Sequence, residues 1–288
     1  MKMSDRIGFD RFNWRRLAFC MATLFCAILI SASLFSRPAL LEIHVLDVGQ
    51  GDAILVRSAE QILLIDAGTN MAEEYLNAFL HSMGIKRIDV FICTHPDEDH
   101  IGGADAVLYG LEVSCLYLPA IDSDDENFTK LLTAAAETGT VVRIAEVGER
   151  FSIGEAEVQF LGPLALDGET NNASIITRIT CGNTSALLMG DAELAAETAL
   201  LGAWSDDALD VDLLKLGHHG ASTSTSAALL NAVAPRFAAI SCGAGNDYGH
   251  PARSTVDALL ARGIAVGRTD RDGRLIYCSD GTQFWRKK

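Results

Sequence analysis

The chain has 288 residues, 49% of them apolar and 21% charged, an ordinary globular composition with core-forming material for one large domain or two small ones. Lys and Arg number 23 against 38 Asp and Glu, and the resulting net charge of −15 repels nucleic acid unless a metal or a few placed cations reverse it locally. The seven cysteines form no CxxC pair, which leaves neither a zinc ribbon nor a dithiol redox motif; Cys93, Cys181 and Cys242 sit in apolar runs and read as buried core, with no disulfide expected.

The first 37 residues differ in kind from the rest. "MKMSDRIGFDRFNWRR" is basic and leads into "LAFCMATLFCAILISASLF", an uncharged apolar run over residues 17–35. A signal-peptide core is roughly 7–15 residues and a spanning helix roughly 20, so the run fits a single membrane-spanning helix, with a cleaved signal as the alternative. The basic flank predicts the N-terminus inside the cytoplasmic membrane and residues 38–288 on the extracytoplasmic side. Those outer residues carry 17 basic against 36 acidic side chains, net −19.

From residue 41 short β-rich runs alternate with helical stretches. The expected strands are "EIHVLDV", "AILVRS", "QILLIDA", "DVFICT", "VSCLYLP", "VVRIAE", "AEVQFLG", "SIITRITC", "SALLMG", "VDLLKLG", "FAAISCG", "IAVGRT" and "GRLIYCS". In "MAEEYLNAFLHSMG" the residues Tyr75, Leu76, Phe79, Leu80 and Met83 share a helix face that Gly84 ends. In "ENFTKLLTAAAETG" the corresponding face is Phe128, Leu131, Leu132 and Ala135, ending at Gly139. Further helices are expected at "AELAAETALLG", "STSAALLNAVAP" and "RSTVDALLARG". Prolines fall between these pieces, and "GQGD" reads as a tight strand-to-strand turn, since it lacks the Lys-Ser/Thr of a phosphate-cradling loop. Strands interleaved with helices imply a large α/β domain with its polar clusters at strand ends.

Four such clusters follow apolar strands: His95-Pro96-Asp97-Glu98-Asp99-His100, Asp191 in "LLMGDAE", His218-His219 in "LLKLGHHG", and His250 in "YGHP". Imidazole and carboxylate together are the usual ligands of zinc or a harder divalent ion. Each cluster also has a plain structural reading: Asp99 and Asp191 precede helical stretches and could cap them, and "NDYGHP" could be a turn with Pro251 opening a helix.

"THPDEDHIGG" resembles the HxHxDH signature of the metallo-β-lactamase superfamily, with Asp97 where the second His usually stands. "HVLDVGQGDAILV", "LLIDAG", "NNASIITRI", "LLMGDAE", "LLKLGHHGAS", "AISCGAGNDYGHP" and "GRTDRDGRLIY" resemble, in order, blocks of the extracellular domain of the ComEC competence (DNA-uptake) proteins. The resemblance implies a four-layer αββα sandwich with ligands on loops at one edge of the paired sheets. It implies two divalent ions: His95 and Asp97 on one, Asp99 and His100 on the other, Asp191 bridging, and one of His218 and His219 completing the second site. His219 is preferred, because Gly220 follows it and it shares strand parity with Lys215; His218 is the alternative. Asp66 would orient a ligand histidine. Asn172 or Ser174 occupies the block of the missing third histidine, and so oxygen-rich a site favours manganese or magnesium in competition with zinc. Asn246, Tyr248 and His250 would reach the substrate as phosphate clamp or leaving-group acid, with Asp99 and Asp191 beside the chemistry.

The expected function is a membrane-anchored, exported metal-dependent hydrolase, a phosphodiesterase or nuclease. The alternatives are hydrolysis of a lactone, thioester or envelope phosphoester, which the acidic surface suits, and a non-catalytic metal-stabilised accessory module of an uptake or envelope system. ComEC proteins carry a multi-pass channel where this sequence offers one span, so DNA translocation by this chain alone is not expected.

Overall fold

The computed structural model describes residues 38–164 and 168–287, together with Met21 and Thr23. The anchor expected over 17–35 otherwise lies outside the described residues, and among those no helix is long and apolar enough to cross a membrane. Everything below concerns the compact unit Ala39–Lys288.

Its strands are β1 (Leu41–Val45), β2 (Ile54–Ser58), β3 (Gln61–Ile65), β4 (Arg87–Ile88), β5 (Val90–Ile92), β6 (Glu112–Val113), β7 (Cys115–Leu118), β8 (Val141–Ile144), β9 (Arg150–Ile153), β10 (Ala156–Phe160), β11 (Thr177–Cys181), β12 (Thr184–Leu188), β13 (Leu213–Lys215), β14 (Phe237–Ile240), β15 (Ala265–Arg268), β16 (Leu275–Ser279) and β17 (Phe284–Lys287). Eight of them form one sheet in the order β17-β16-β1-β2-β3-β5-β7-β8, and seven form a second in the order β15-β14-β13-β12-β11-β10-β9. Each sheet is part antiparallel and part parallel. The parallel runs are β3-β5-β7-β8 and β12-β13-β14-β15.

Side-chain alternation makes the layers. In β12 Ala186 and Leu188 face the opposite sheet, while Leu187 faces helices; in β13 Leu213 and Leu214 divide in the same way. Three cores result. One lies between the sheets and is built from residues such as Ile43, Val56, Phe160 and Ile179. The other two lie between each sheet and its own helices. Leu76, Leu80, Val107 and Leu131 cover the first sheet, and Leu200, Leu229, Val233 and Leu259 cover the second. Each fully buried leucine of this kind contributes about 1.5–3 kcal/mol. The architecture is the expected αββα sandwich.

Two expected helix faces shift by one position. In the helix Glu73–Ser82 Tyr75 is exposed, and the buried stripe is Leu76, Phe79 and Leu80. In Glu126–Thr138 Leu132 is exposed and Ala134 is buried in its place. Both helices present a narrow stripe to the sheet, so an apolar residue about one position round the helix falls into solvent. Asp125 caps the second helix by accepting from the backbone N–H of Asn127 and Phe128. The cysteines among the described residues are free, and Cys93, Cys181 and Cys242 are buried.

Candidate metal centre

In open α/β sheets the carboxyl ends of parallel strands converge where ligands bind. Here the loops leaving β3, β5, β12, β13 and β14 carry Asp66, His95 to His100, Asp191, His218-His219 and Ser241-to-His250, so the parallel halves of both sheets deliver polar residues to one edge. The ligand atoms of Asp99, His100, Asp191 and His219 lie within 4.8 Å of one another. His100 Nε2 is 3.1 Å from Asp191 Oδ1, and His219 Nε2 is 3.1 Å from Asp99 Oδ2 and 3.4 Å from Asp191 Oδ2. His95 packs its ring 4.1 Å from that of His100, centroid to centroid, and its Nε2 lies 3.7 Å from Asp97 Oδ2.

The far nitrogen of each imidazole is held from behind. Asp66 Oδ2 lies 2.8 Å from His100 Nδ1, while Asp66 also accepts from the Thr94 backbone N–H and hydroxyl. His95 Nδ1 meets Thr94 Oγ1 at 3.0 Å, and His219 Nδ1 meets the Ser241 carbonyl at 3.0 Å. Such contacts place the proton on Nδ1 and turn the Nε2 lone pair into the cluster. His95 Nε2 is buried and makes no hydrogen bond, and the buried His100 Nε2 and Asp191 Oδ1 face only each other, with no further hydrogen-bond partner. Buried polar atoms are seldom left without partners, because each orphan costs about 1–3 kcal/mol. A divalent cation is the partner that suits two imidazole nitrogens and a carboxylate oxygen together, so the donor set fits the metal.

The charges follow the same pattern. Burial, reinforced by the neighbouring His100, holds His95 down at about 4, so its imidazole is neutral and free to ligate. Burial opposes charge on His219, but Asp191, Asp52 and Asp99 outweigh it and raise His219 to about 9. His100 is raised likewise against burial by Asp191 and Asp66. In turn His100 and His219 hold Asp191 well below the usual carboxylate range despite its burial. Asp97 goes the other way, raised by its own burial. The carboxylates thus favour positive charge at His100 and His219, the charge that a divalent ion would supply.

The remaining expected residues divide by what they touch. His218 is separated from His219 by its partner: its Nδ1 lies 2.7 Å from Glu193 Oε1 and its Nε2 3.9 Å from Asp191 Oδ2, outside the tight group. Strand parity has no part in this, because β13 ends at Lys215 and both histidines adopt left-handed backbone, with φ of 43° and 51°. Neither Asp99 nor Asp191 is a helix cap. Asp99 lies inside the short helix Glu98–Ile101, and the helix Leu194–Ala203 is served by Asn172 Oδ1, which accepts from Glu193 N and Ala196 N. Asn172 therefore supports a helix start, while Ser174 Oγ accepts from the Asp191 backbone N–H and stands 3.4 Å from His95 Nδ1. Lys215 is buried with its Nζ 2.7 Å from Asp52 Oδ2, so it faces a carboxylate and not a substrate. Asn246 is occupied in its own loop, donating to Gly243 O and His250 O and accepting from His250 N. Tyr248 is 72% exposed and stacks beside His250, whose ring lies 5.2 Å from that of His218. Burial, with His218 and His219 nearby, lowers the His250 pKa.

Sequence reasoning missed Asp52, Thr94 and Glu193. Asp52 lies in "GQGD", which does join β1 to β2 but is no plain surface turn: Asp52 is 1% exposed and stands beside His219. An aspartate directly before an apolar strand, after two glycines, is the available signal.

An αββα sandwich with imidazoles and carboxylates converging at one sheet edge defines a metal-dependent hydrolase. Residues 46–244 match the family model described as the metallo-beta-lactamase superfamily, and the chain belongs to that superfamily. It is 32% identical over 255 residues to ComE operon protein 3 of Bacillus subtilis, covering 82% of this chain and 33% of that protein. It is likewise 32% identical over 237 residues to competence protein ComA of Neisseria gonorrhoeae, covering 82% and 32%. The chain thus spans about a third of the length of the curated relatives it matches. Among solved structures, the metallo-beta-lactamase fold protein YhfI of Bacillus subtilis superposes with a TM-score of 0.56 at 15% identity over 86% of this chain and 99% of that one. CmlA, a diiron beta-hydroxylase from Streptomyces venezuelae, superposes with 0.58 at 17% over 87% and 55%. These two likenesses establish the fold.

Proposed function

We propose that the chain is a membrane-anchored, extracytoplasmic phosphodiesterase or nuclease working with two divalent ions, zinc or manganese, with magnesium as a further candidate. The observation that carries the reading is the convergence of Asp99, His100, Asp191 and His219 within 4.8 Å, with His95 and Asp97 alongside. Asp99, His100 and His219 would hold one ion, His95 and Asp97 the other, and Asp191 would reach both. Two ions so held supply an activated water and a clamp on an anionic electrophile, which suits a phosphodiester. His250, half-buried beside His218 and His219, would supply the proton that a leaving oxygen needs, against a pKa that burial and those two histidines lower, and the exposed Tyr248 ring beside it offers a stacking surface. The relatives are a competence protein and a ComE operon protein, and with the resemblance to the ComEC DNA-uptake proteins they support a DNA-related substrate. The apolar run 17–35 with its basic flank supports the anchor and its orientation.

One observation favours a second reading. A net charge of −15 disfavours long polyanions, and a lactone, thioester or small envelope phosphoester would meet less repulsion. The deciding experiment is turnover by the metal-loaded full chain on single-stranded DNA, RNA, a bis-aryl phosphodiester and a lactone. Hydrolysis of the nucleic acids and the diester, abolished by a chelator, is the expected result. Turnover of the lactone alone would replace the first reading with the second.

A further inference from the structure

We propose that Asp52, paired with Lys215, is a positioning residue for the ligands His219 and Asp99; this rests on the two-ion reading above. The dipeptide Gly51-Asp52 touches four site segments at once. The Asp52 N–H donates to the Asp99 carbonyl at 3.1 Å, and the Asp52 carbonyl accepts from Gly68 N at 2.8 Å. The Gly51 carbonyl accepts from the Ser241 hydroxyl at 2.7 Å. A Cβ on Gly51 would lie 2.2 Å from the Asp99 carbonyl oxygen, and the residue has φ +124°, so only glycine lets the loop approach this closely.

The Asp52 carboxylate completes the arrangement. Its Oδ1 lies 3.5 Å from His219 Nδ1, the nitrogen that also meets Ser241 O, and its Oδ2 lies 2.7 Å from Lys215 Nζ. Both partners are buried, at 1% and 0% exposure. Asp52, Asp66 and His100 also bring ligand atoms within 4.8 Å of one another, a grouping that could attract a cation of its own. Lys215 already supplies a cation to Asp52. It cancels one carboxylate in a pocket that also holds Asp66, Asp99 and Asp191, yet leaves Oδ1 3.5 Å behind His219 Nδ1, whose N–H the Ser241 carbonyl accepts, so that Asp52 favours the Nδ1–H tautomer through its charge. The His219 Nε2 lone pair then faces Asp99 and Asp191.

The test separates positioning from a merely structural buried pair. The full chain is compared with Asp52→Asn, Lys215→Met, the double variant and His219→Ala. Urea midpoints report stability, and calorimetric titration reports binding of whichever of zinc(II) and manganese(II) the unmodified chain takes. Each single variant should lose stability, because one buried charge is left alone, and the double variant should recover it. The double variant should still bind metal about 10–100-fold more weakly, since His219 has lost its orienting carboxylate. Recovery of both stability and metal affinity in the double variant would overturn the proposal. Normal affinity in Asp52→Asn beside impaired His219→Ala would overturn the positioning role alone. Normal affinity in His219→Ala would overturn the ligand reading beneath it.

Discussion

His100 Nδ1 lies 2.8 Å from Asp66 Oδ2, and both side chains are buried. That contact keeps a proton on Nδ1, so that Nε2, 3.1 Å from Asp191 Oδ1, is the nitrogen whose lone pair a metal would take. Asp66→Asn keeps the shape but can present an N–H where the carboxylate accepted one. Metal affinity should fall about 10–100-fold with the fold retained. Titration calorimetry on Asp66→Asn checks this, and unchanged affinity would remove Asp66 from the site.

Metal content is the most direct measurement. The purified chain should hold about two divalent ions, as two-metal hydrolases do. Metal at about a hundred times its Kd should stabilise the fold by about 2.7 kcal/mol, lost again on chelation. Elemental analysis and thermal melting with and without chelator read both, and a chain that neither retains nor takes up metal refutes the centre.

The pH dependence should flatten with metal. His219 is raised from 6.5 to about 9 in the folded, metal-free protein, because Asp191, Asp52 and Asp99 outweigh burial. A raised pKa stabilises the fold fully below the unfolded value and loses that stability as pH rises through the folded one. Metal-free stability should therefore decline between pH 6.5 and about 9. Metal competes with the same protons, so metal affinity should climb over that window. Urea midpoints across it should fall without metal and stay nearly level with saturating metal; parallel slopes would mean that proton and metal do not share His219.

Asp191 is 2% exposed and caps no helix, so its removal should not act through helix stability. Asp191→Asn retains its volume and loses the charge that two cations would share. Turnover should fall by more than about 10²-fold, with both ions bound more weakly. A folded Asp191→Asn variant with a near-normal rate would exclude a bridging role.

His250 is half-buried beside His218 and His219, and burial together with those two histidines lowers its pKa. His250→Ala should lower kcat by about 10²–10⁴-fold and leave metal content unchanged, which is the signature of proton transfer without ligation. Loss of metal in His250→Ala would make it a ligand instead.

The segments that carry the site were legible in the sequence, because each is an apolar strand that stops at a polar cluster. "DVFIC" before "THPDEDH", "ALLM" before "GDAE" and "LLKL" before "GHHG" show where buried strands run out, and runs such as "ALLNAV" show the helices between them. Local periodicity and breakers determine that much. Which atoms meet is a matter of long-range packing. His218 and His219 are adjacent and alike in sequence, yet a left-handed turn beyond β13 sends one toward Glu193 and the other to Asp99, 120 residues away. The cap reading of Asp191 fails for the same reason: Asn172, on another loop, satisfies the helix start, whereas Asp99 lies inside its own short helix. Asp52 looked like a turn residue because its partners Lys215 and His219 arrive from the opposite sheet. A strand pattern records which side chains are buried; only the stacking of the two sheets decides which buried charges are brought face to face.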